Sequence, residues 1–221
     1  MALDPRYPQA MRYIMQHQNG DVAHQMTAAG IVYNMNYGVS ITQLRDFAKT
    51  SGLSSSFAEQ LWAENLRETK LLALMIWDPA DIAPDKADSI VAQLITGEMV
   101  EIACHHLFCN LSFARDKVAE WAASETMFVK MAGLFLGARL AKLDKNLPDA
   151  FFGSLFEIVS KQTSVNVIYI KKSIVQLLLA MASRSPQLKA EVAAFIQTLD
   201  ERESDAVRFI VTNVESEIKY L

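Results

Sequence analysis

The sequence predicts an all-α protein, and three observations carry that prediction. Apolar residues recur at three- and four-residue spacing along nearly the whole chain, and no segment sustains the period-two alternation of a strand. Glycine and proline are scarce, 8 and 6 among 221 residues, so few positions demand a turn. Ser, Pro and Gly fall where helix ends are expected. With 51% hydrophobic and 21% charged residues the composition is that of a globular protein and excludes disorder. The length fits one domain, residues 1–221, with room for a sizeable core.

The elements follow in order. A helix is predicted near Pro5–His17, broken by Asn19-Gly20, and a shorter one near Asp21–Ala29 that Gly30 ends as a C-cap glycine. Residues 31–39 form a loop, in which Gly38 supplies a positive φ, and Ser40 caps a helix running to about Lys49. Helices near Ser55–Glu64 and Leu66–Trp77 are separated by almost nothing, which forces an antiparallel pair. Pro79 and Pro84 mark a loop, and Pro84 opens a helix to Leu94. Further helices are expected near Glu98–Leu111, Ala114–Ala122, Glu125–Leu143, Pro148–Lys161, Val165–Ser183, Pro186–Leu199 and Glu203–Lys219. Ser124 is the expected N-cap of the long one, and Thr163 or Ser164 that of the Val165 helix. Pairing that repeats at roughly 35–40 residues is the spacing of HEAT- or armadillo-like repeats, so the expected architecture is an α-α superhelix, about ten helices in a curved solenoid, with a compact helical bundle as the competing arrangement.

Several function classes drop out on composition. No apolar run reaches the ~18 residues of a membrane span, and Met1–Arg12 lacks the apolar stretch of a signal peptide and reads as the start of a helix. Two cysteines, Cys104 and Cys109, are too few for a disulfide framework, and five positions apart on one helix they diverge. The expectation is a cytoplasmic protein with reduced thiols. Net charge is −4 but unevenly spread: residues 130–189 hold nine Lys/Arg against three Asp/Glu, a local +6 that leaves −10 elsewhere. Such asymmetry suits a polyanionic partner.

Residues 36–77 carry an ordered pattern. Asn36-Tyr37-Gly38-Val39-Ser40 leads to Leu44-Arg45-Asp46-Phe47-Ala48-Lys49, then Ala58-Glu59-Gln60-Leu61-Trp62 and Arg67-Glu68-Thr69-Lys70-Leu71-Leu72-Ala73. On spacing alone these residues are structural: Leu44, Phe47 and Ala48 share one face, Leu61 and Trp62 close the next helix, and Leu71, Leu72 and Leu74 bury a third. Farther on, Trp121-Ala122-Ala123-Ser124-Glu125 precedes Phe128-Val129-Lys130-Met131-Ala132, and Tyr169-Ile170-Lys171-Lys172-Ser173-Ile174-Val175-Gln176 forms a basic helix start. In this order the motifs resemble the AlkD-like DNA alkylation repair family of HEAT-repeat DNA glycosylases, over roughly residues 20–190.

The resemblance implies a DNA partner and a chemistry. The active glycosylases of that family act on cationic alkylated bases in a basic groove, where a carboxylate stabilises the charge developing on the sugar and aromatic faces embrace the base. The pattern calls for Trp-x-x-x-Asp, for the second arginine of Trp-x-Arg-Arg and for a tryptophan in the last motif. Here the arginine pair is Lys130-Met131, the last tryptophan is Gln176, and Glu98–Asn110, where the Trp/Asp pair belongs, holds neither residue type. The reading is therefore a divergent member without efficient glycosylase activity, a pseudoenzyme that holds the DNA backbone through Lys130, Arg139, Lys142, Lys171, Lys172 and Arg184.

Relocated chemistry would fall to Glu101, which shares a helix face with His105 and is the one weak catalytic candidate. Cys104, His105, His106 and Cys109 suggest a metal cluster only on paper, since helical positions i, i+1, i+2 and i+5 diverge; no metal and no cofactor is expected. Methionines 11, 15, 26, 75, 131 and 181 read as core filler, and Tyr33, Tyr37, Trp62 and Trp77 as core or junction aromatics. Two alternatives stay open: a helical-repeat scaffold for a protein partner, and a glycosylase with relocated groups.

Overall fold

The computed structural model describes residues 3–221, so the first two residues of the segment read as a helix start lie outside it. Among the described residues the chain is helical, its only strand-like feature being one parallel bridge between Met35 and Leu66. Its packing divides into two compact units, Met1–Asp88 with Glu101–Ser112, and Ser89–Val100 with Phe113–Leu221.

The first unit contains α1 (Tyr7–Gln16), α2 (Gly20–Ala28), α3 (Ile41–Ser51), α4 (Ser55–Ala63) and α5 (Arg67–Ile76). Asn19 caps α2, and Ser40 with Gln43 forms a capping box at the start of α3, each satisfying backbone N–H groups that a helix start leaves orphaned. Gly38 has φ +72°, and a Cβ there would lie 2.1 Å from the Asn19 carbonyl oxygen, so only glycine fits this turn. The three residues between α4 and α5 turn the chain back at once, as expected of an antiparallel pair. α3 and α5 run parallel: Val39, before α3, donates its N–H to Glu68 at the start of α5, and Ser54, after α3, donates to the Ile76 carbonyl at its end.

α5 is buried along almost its whole length, charges included. Glu68 is fully buried and accepts from Arg67 Nη1 at 2.9 Å and from the N–H groups of Tyr37 and Val39, both at 3.2 Å, while Arg67 donates to the Val39 carbonyl. The ion pair thus ties the 36–39 loop to the core, and each partner's charge is compensated. Lys70 donates to the Trp62 carbonyl and lies over the Trp62 ring at 4.4 Å; burial pushes its ammonium below the ordinary lysine range.

α6 (Pro84–Ala92) and α7 (Gly97–His106) are each shared between the units by sequence. The second unit adds α8 (Ala114–Ala122), α9 (Met127–Leu143), α10 (Asp149–Gly153), α11 (Leu155–Ser160), α12 (Ile168–Ala182), α13 (Pro186–Gln197) and α14 (Asp205–Ile218). Gly133 and Gly137, one turn apart on α9, let α8 approach: a Cβ on Gly133 would meet the Ala122 backbone nitrogen at 2.1 Å, and one on Gly137 the Val118 side chain at 3.2 Å. As 133 pairs with 122 and 137 with 118, α8 and α9 are antiparallel. α9 and α12 are parallel, with Phe128 against Tyr169 near their starts and Gly137 against Leu177 farther along. Ser185 and Ser204 cap α13 and α14.

Four local expectations are corrected. Ser124 does not cap α9, because its hydroxyl accepts from Thr126 N–H two residues on, and the N-cap Thr126 makes no side-chain bond. Thr163 and Ser164 do not cap α12. Thr163 is buried with its hydroxyl turned back to the Ser160 carbonyl, neighbouring Gln162 reaches the Ala122 carbonyl, and the helix starts only at Ile168. The single helix expected over Pro148–Lys161 breaks at Gly153-Ser154. Met15, expected in the core, is 55% exposed.

Candidate nucleic-acid interface

The second unit holds the cations the sequence singled out, on α9, α12 and the turn after α12. The first turns of α9 and α12 meet the first turn of α7 at one place. There Thr96 Oγ1 accepts the Met99 N–H, and Gly97 sits so close to Tyr169 that a Cβ would lie 2.8 Å from its ring and 3.5 Å from Met131 Cε. The Tyr169 ring stands 5.8 Å from that of Phe128. Met131, 3% exposed, belongs to this packed knot. Met131, which the sequence reading sets against the second arginine of the resembled motif, is therefore an interior thioether and not a surface group. Gln176, which the sequence reading sets against the last tryptophan of the resembled pattern, is exposed on α12 and shares a face with Tyr169 and Lys172, which lie seven and four positions before it.

The six predicted backbone contacts do not act as one set. Lys142 and Lys172 are exposed and Lys130 is half-buried, and their side chains make no ion pair or hydrogen bond among the described residues. Lys171 donates to Asn166 Oδ1 at 2.8 Å and lies over the Phe209 ring at 5.1 Å. Arg139 is half-buried with its Nε enclosed and unpartnered. Nine positions of helix put Lys130 and Arg139 on opposite sides of α9, and Lys142 lies about 18 Å along the axis from Lys130.

Arg184 is a correction. Its side chain is 6% exposed and its donors are spent inside the protein: on Asp149 Oδ1 at 3.0 Å and on the carbonyls of Ala141 (3.1 Å), Asp144 (2.7 Å) and Leu147. Its guanidinium also stacks on the Phe152 ring at 4.7 Å. It staples the turn after α9 and offers nothing to a phosphate. The Ser185 hydroxyl, and then the Arg184 guanidinium, hold the Asp149 carboxyl below the usual carboxylate range.

The weak catalytic candidates lie elsewhere, in the first unit. Glu101 and His105 are exposed on α7, Cys104 is buried, and Cys109 Sγ reaches the His105 carbonyl at 3.4 Å. Among the described residues no group of three or more His, Cys, Asp or Glu is placed to hold a metal ion, and no helix is long and apolar enough to cross a membrane. Sequence reasoning left Tyr169, Phe128 and Gly97 out of the site. The one signal for them was a glycine directly after Thr96, where a helix starts against bulky neighbours.

Residues 10–209 match the DNA alkylation repair enzyme family. The chain belongs to that family. A solved structure is similar over 95% of this chain and 94% of its own, with a TM-score of 0.80 at 15% identity. It is described as a new family of proteins related to the HEAT-like repeat DNA glycosylases with affinity for branched DNA structures. No curated protein matches the chain by sequence. The likeness establishes an all-α, HEAT-like repeat fold for this alkylation repair relative, as its repeat spacing predicted.

Proposed function

We propose that this member of the DNA alkylation repair family binds DNA in the cytoplasm through its phosphate backbone and does not cleave the glycosidic bond efficiently. The observation that carries the reading is the set Lys130, Lys142 and Lys172. In a chain of net charge −4 these three ammonium groups have no carboxylate partner, and Lys130 and Lys172 stand near the start of the parallel pair α9 and α12. Lys171 and Arg139 add charge nearby with part of their donors engaged or enclosed. Against cleavage stand the interior Met131 where a phosphate-gripping arginine is required and the solvent-facing amide of Gln176 where an aromatic face is required. The affinity for branched DNA of the structurally similar protein makes junctions the ligand to compare with duplex.

The test is fluorescence anisotropy with a labelled duplex and a four-way junction over a salt series. Three backbone contacts give a slope of log K against log[salt] of about −2.7 on duplex, and each lysine-to-alanine change at 130, 142 or 172 lowers its magnitude by about 1. Absence of salt-dependent binding to either form overturns the proposal and leaves the protein-binding scaffold. Release of an N-alkylated base, lost on Glu101→Gln, overturns its second half.

A further inference from the structure

The first unit holds a cleft of about 340 Å³ lined by Arg45, Ala48, Lys49, Gly52, Leu53, Met75 and His106. We propose that it binds a single nucleotide, with a phosphate monoester on Arg45 and Lys49 and the flat base against Ala48, Leu53 and Met75. This site is independent of the backbone contacts on α9 and α12.

The charges come first. Arg45 and Lys49 are one turn apart on α3, and neither side chain makes an ion pair or hydrogen bond among the described residues. Like charges at i, i+4 repel, so holding two unpaired cations at the mouth of one cleft is unfavourable in the free protein and is relieved by a dianion. No carboxylate lines the cleft, and the His106 imidazole from the last turn of α7 adds a third nitrogen-bearing group. A lysine near a helix C-terminus is ordinarily explained by the helix dipole. At the end of α3 the Ala48 carbonyl accepts from Gly52 N–H and the Ser51 carbonyl from Arg6, so part of the terminal negative charge is already met. Arg45 lies a full turn before the end of α3, so the dipole does not account for it.

The walls supply the rest. Ala48, Leu53 and Met75 are apolar, Leu53 is 59% exposed, and a flat ligand would cover it. A thioether and a leucine side chain suit an aromatic face. Nothing lies within 4 Å of the position a Cβ would take on Gly52, so that edge is open to a strand or a free ligand. The volume falls at the low end of the ~300–1,000 Å³ typical of small-ligand sites. An arginine fork pairs with carboxylate and phosphate alike, and the second cation beside it favours the doubly charged phosphate monoester.

The experiment uses the full chain and deoxyadenosine monophosphate, deoxyadenosine and inorganic phosphate as probes, followed by amide NMR shifts and calorimetry. The expected result is mononucleotide binding with shifts centred on Arg45, Lys49, Gly52 and His106. Deoxyadenosine and phosphate should each bind at least about tenfold more weakly, and R45A/K49A should abolish the shifts while leaving the circular dichroism unchanged. A duplex with a one-nucleotide flap separates the sources. Competition by the mononucleotide, lost in R45A/K49A, assigns the site to a strand end, and flap binding that is indifferent to both assigns it to free nucleotide. Mononucleotide shifts elsewhere, equal binding of deoxyadenosine, or binding that survives R45A/K49A would overturn the proposal. Loss of duplex binding in the α9 and α12 lysine variants bears on the other site alone.

Discussion

Replacing Arg184 with alanine separates a structural cation from a DNA-binding one. The guanidinium donates to one carboxylate and three main-chain carbonyls within residues 141–149, and it is 6% exposed. Each charge-assisted bond is worth about 1.5–3 kcal/mol net, but the four cannot simply be summed, because Asp149 and the carbonyl of half-buried Asp144 regain water once the side chain is gone. The measured cost of breaking buried pairs, about 3–5 kcal/mol, sets the scale. For a chain of this length 1 kcal/mol moves Tm by about 2–4 °C, so R184A should melt about 6–20 °C lower. R184K keeps the charge but not the fork and should fall between. Thermal unfolding by circular dichroism, with duplex anisotropy at low salt well below the transition, reads both sides of the claim. R184A should bind DNA within about twofold of the parent, whereas K172A should keep its Tm and lose affinity. If R184A loses affinity as K172A does while melting unchanged, the staple reading is wrong.

Three further outcomes follow from the same geometry. Gly133→Ala drives a Cβ into the Ala122 backbone and should destabilise by about 3 kcal/mol in denaturant unfolding, while Gly153→Ala, whose Cβ meets nothing nearer than Glu191 Oε2 at 3.6 Å, should be neutral or slightly stabilising. Glu68→Gln removes the buried carboxylate that accepts from Arg67, Tyr37 and Val39 and should cost about 3 kcal/mol, with faster amide exchange at Tyr37 and Val39; unaltered exchange there would show that the loop is held by other means. Arg6 holds the Asp4 carboxyl down to about 2 from 3.8. A depressed acid stabilises above its unfolded value, and that contribution is lost as pH falls from 3.8 toward 2. Asp4→Asn should therefore flatten this part of the acid limb of a stability–pH profile.

Helix starts were legible wherever one side chain decides them. Ser40 acts on N–H groups within three residues, Pro84 starts a helix through its own fixed φ, and Gly38 and Gly30 adopt positive φ with no distant help beyond the close approach at Asn19, whose capping of α2 the sequence reading takes only as a break. Ser124 and Thr163 misled because a hydroxyl has several local acceptors and tertiary packing chose among them, as Gln162 shows by reaching Ala122 forty positions away. The fold was legible because periodicity and short connections are chain-local. The site was less so. Arg184 looks like any cation at a helix end, and its acceptors lie 35–43 positions upstream. Arg45 and Lys49 read as parts of a stacking motif, and nothing nearby in sequence announces that Met75 and His106 close a cleft over them. Tyr169 gained its setting only from Gly97 and Phe128.

The burial of Met131 restricts which side chains position 131 can carry. An arginine placed at that position would carry a charge and a longer side chain into the packed contact of Gly97 with the Tyr169 ring. Stability would be lost at that step, before any affinity could be gained. Tyr169 and the close approach at Gly97 would have to yield first, so a cation at this position requires several substitutions made together.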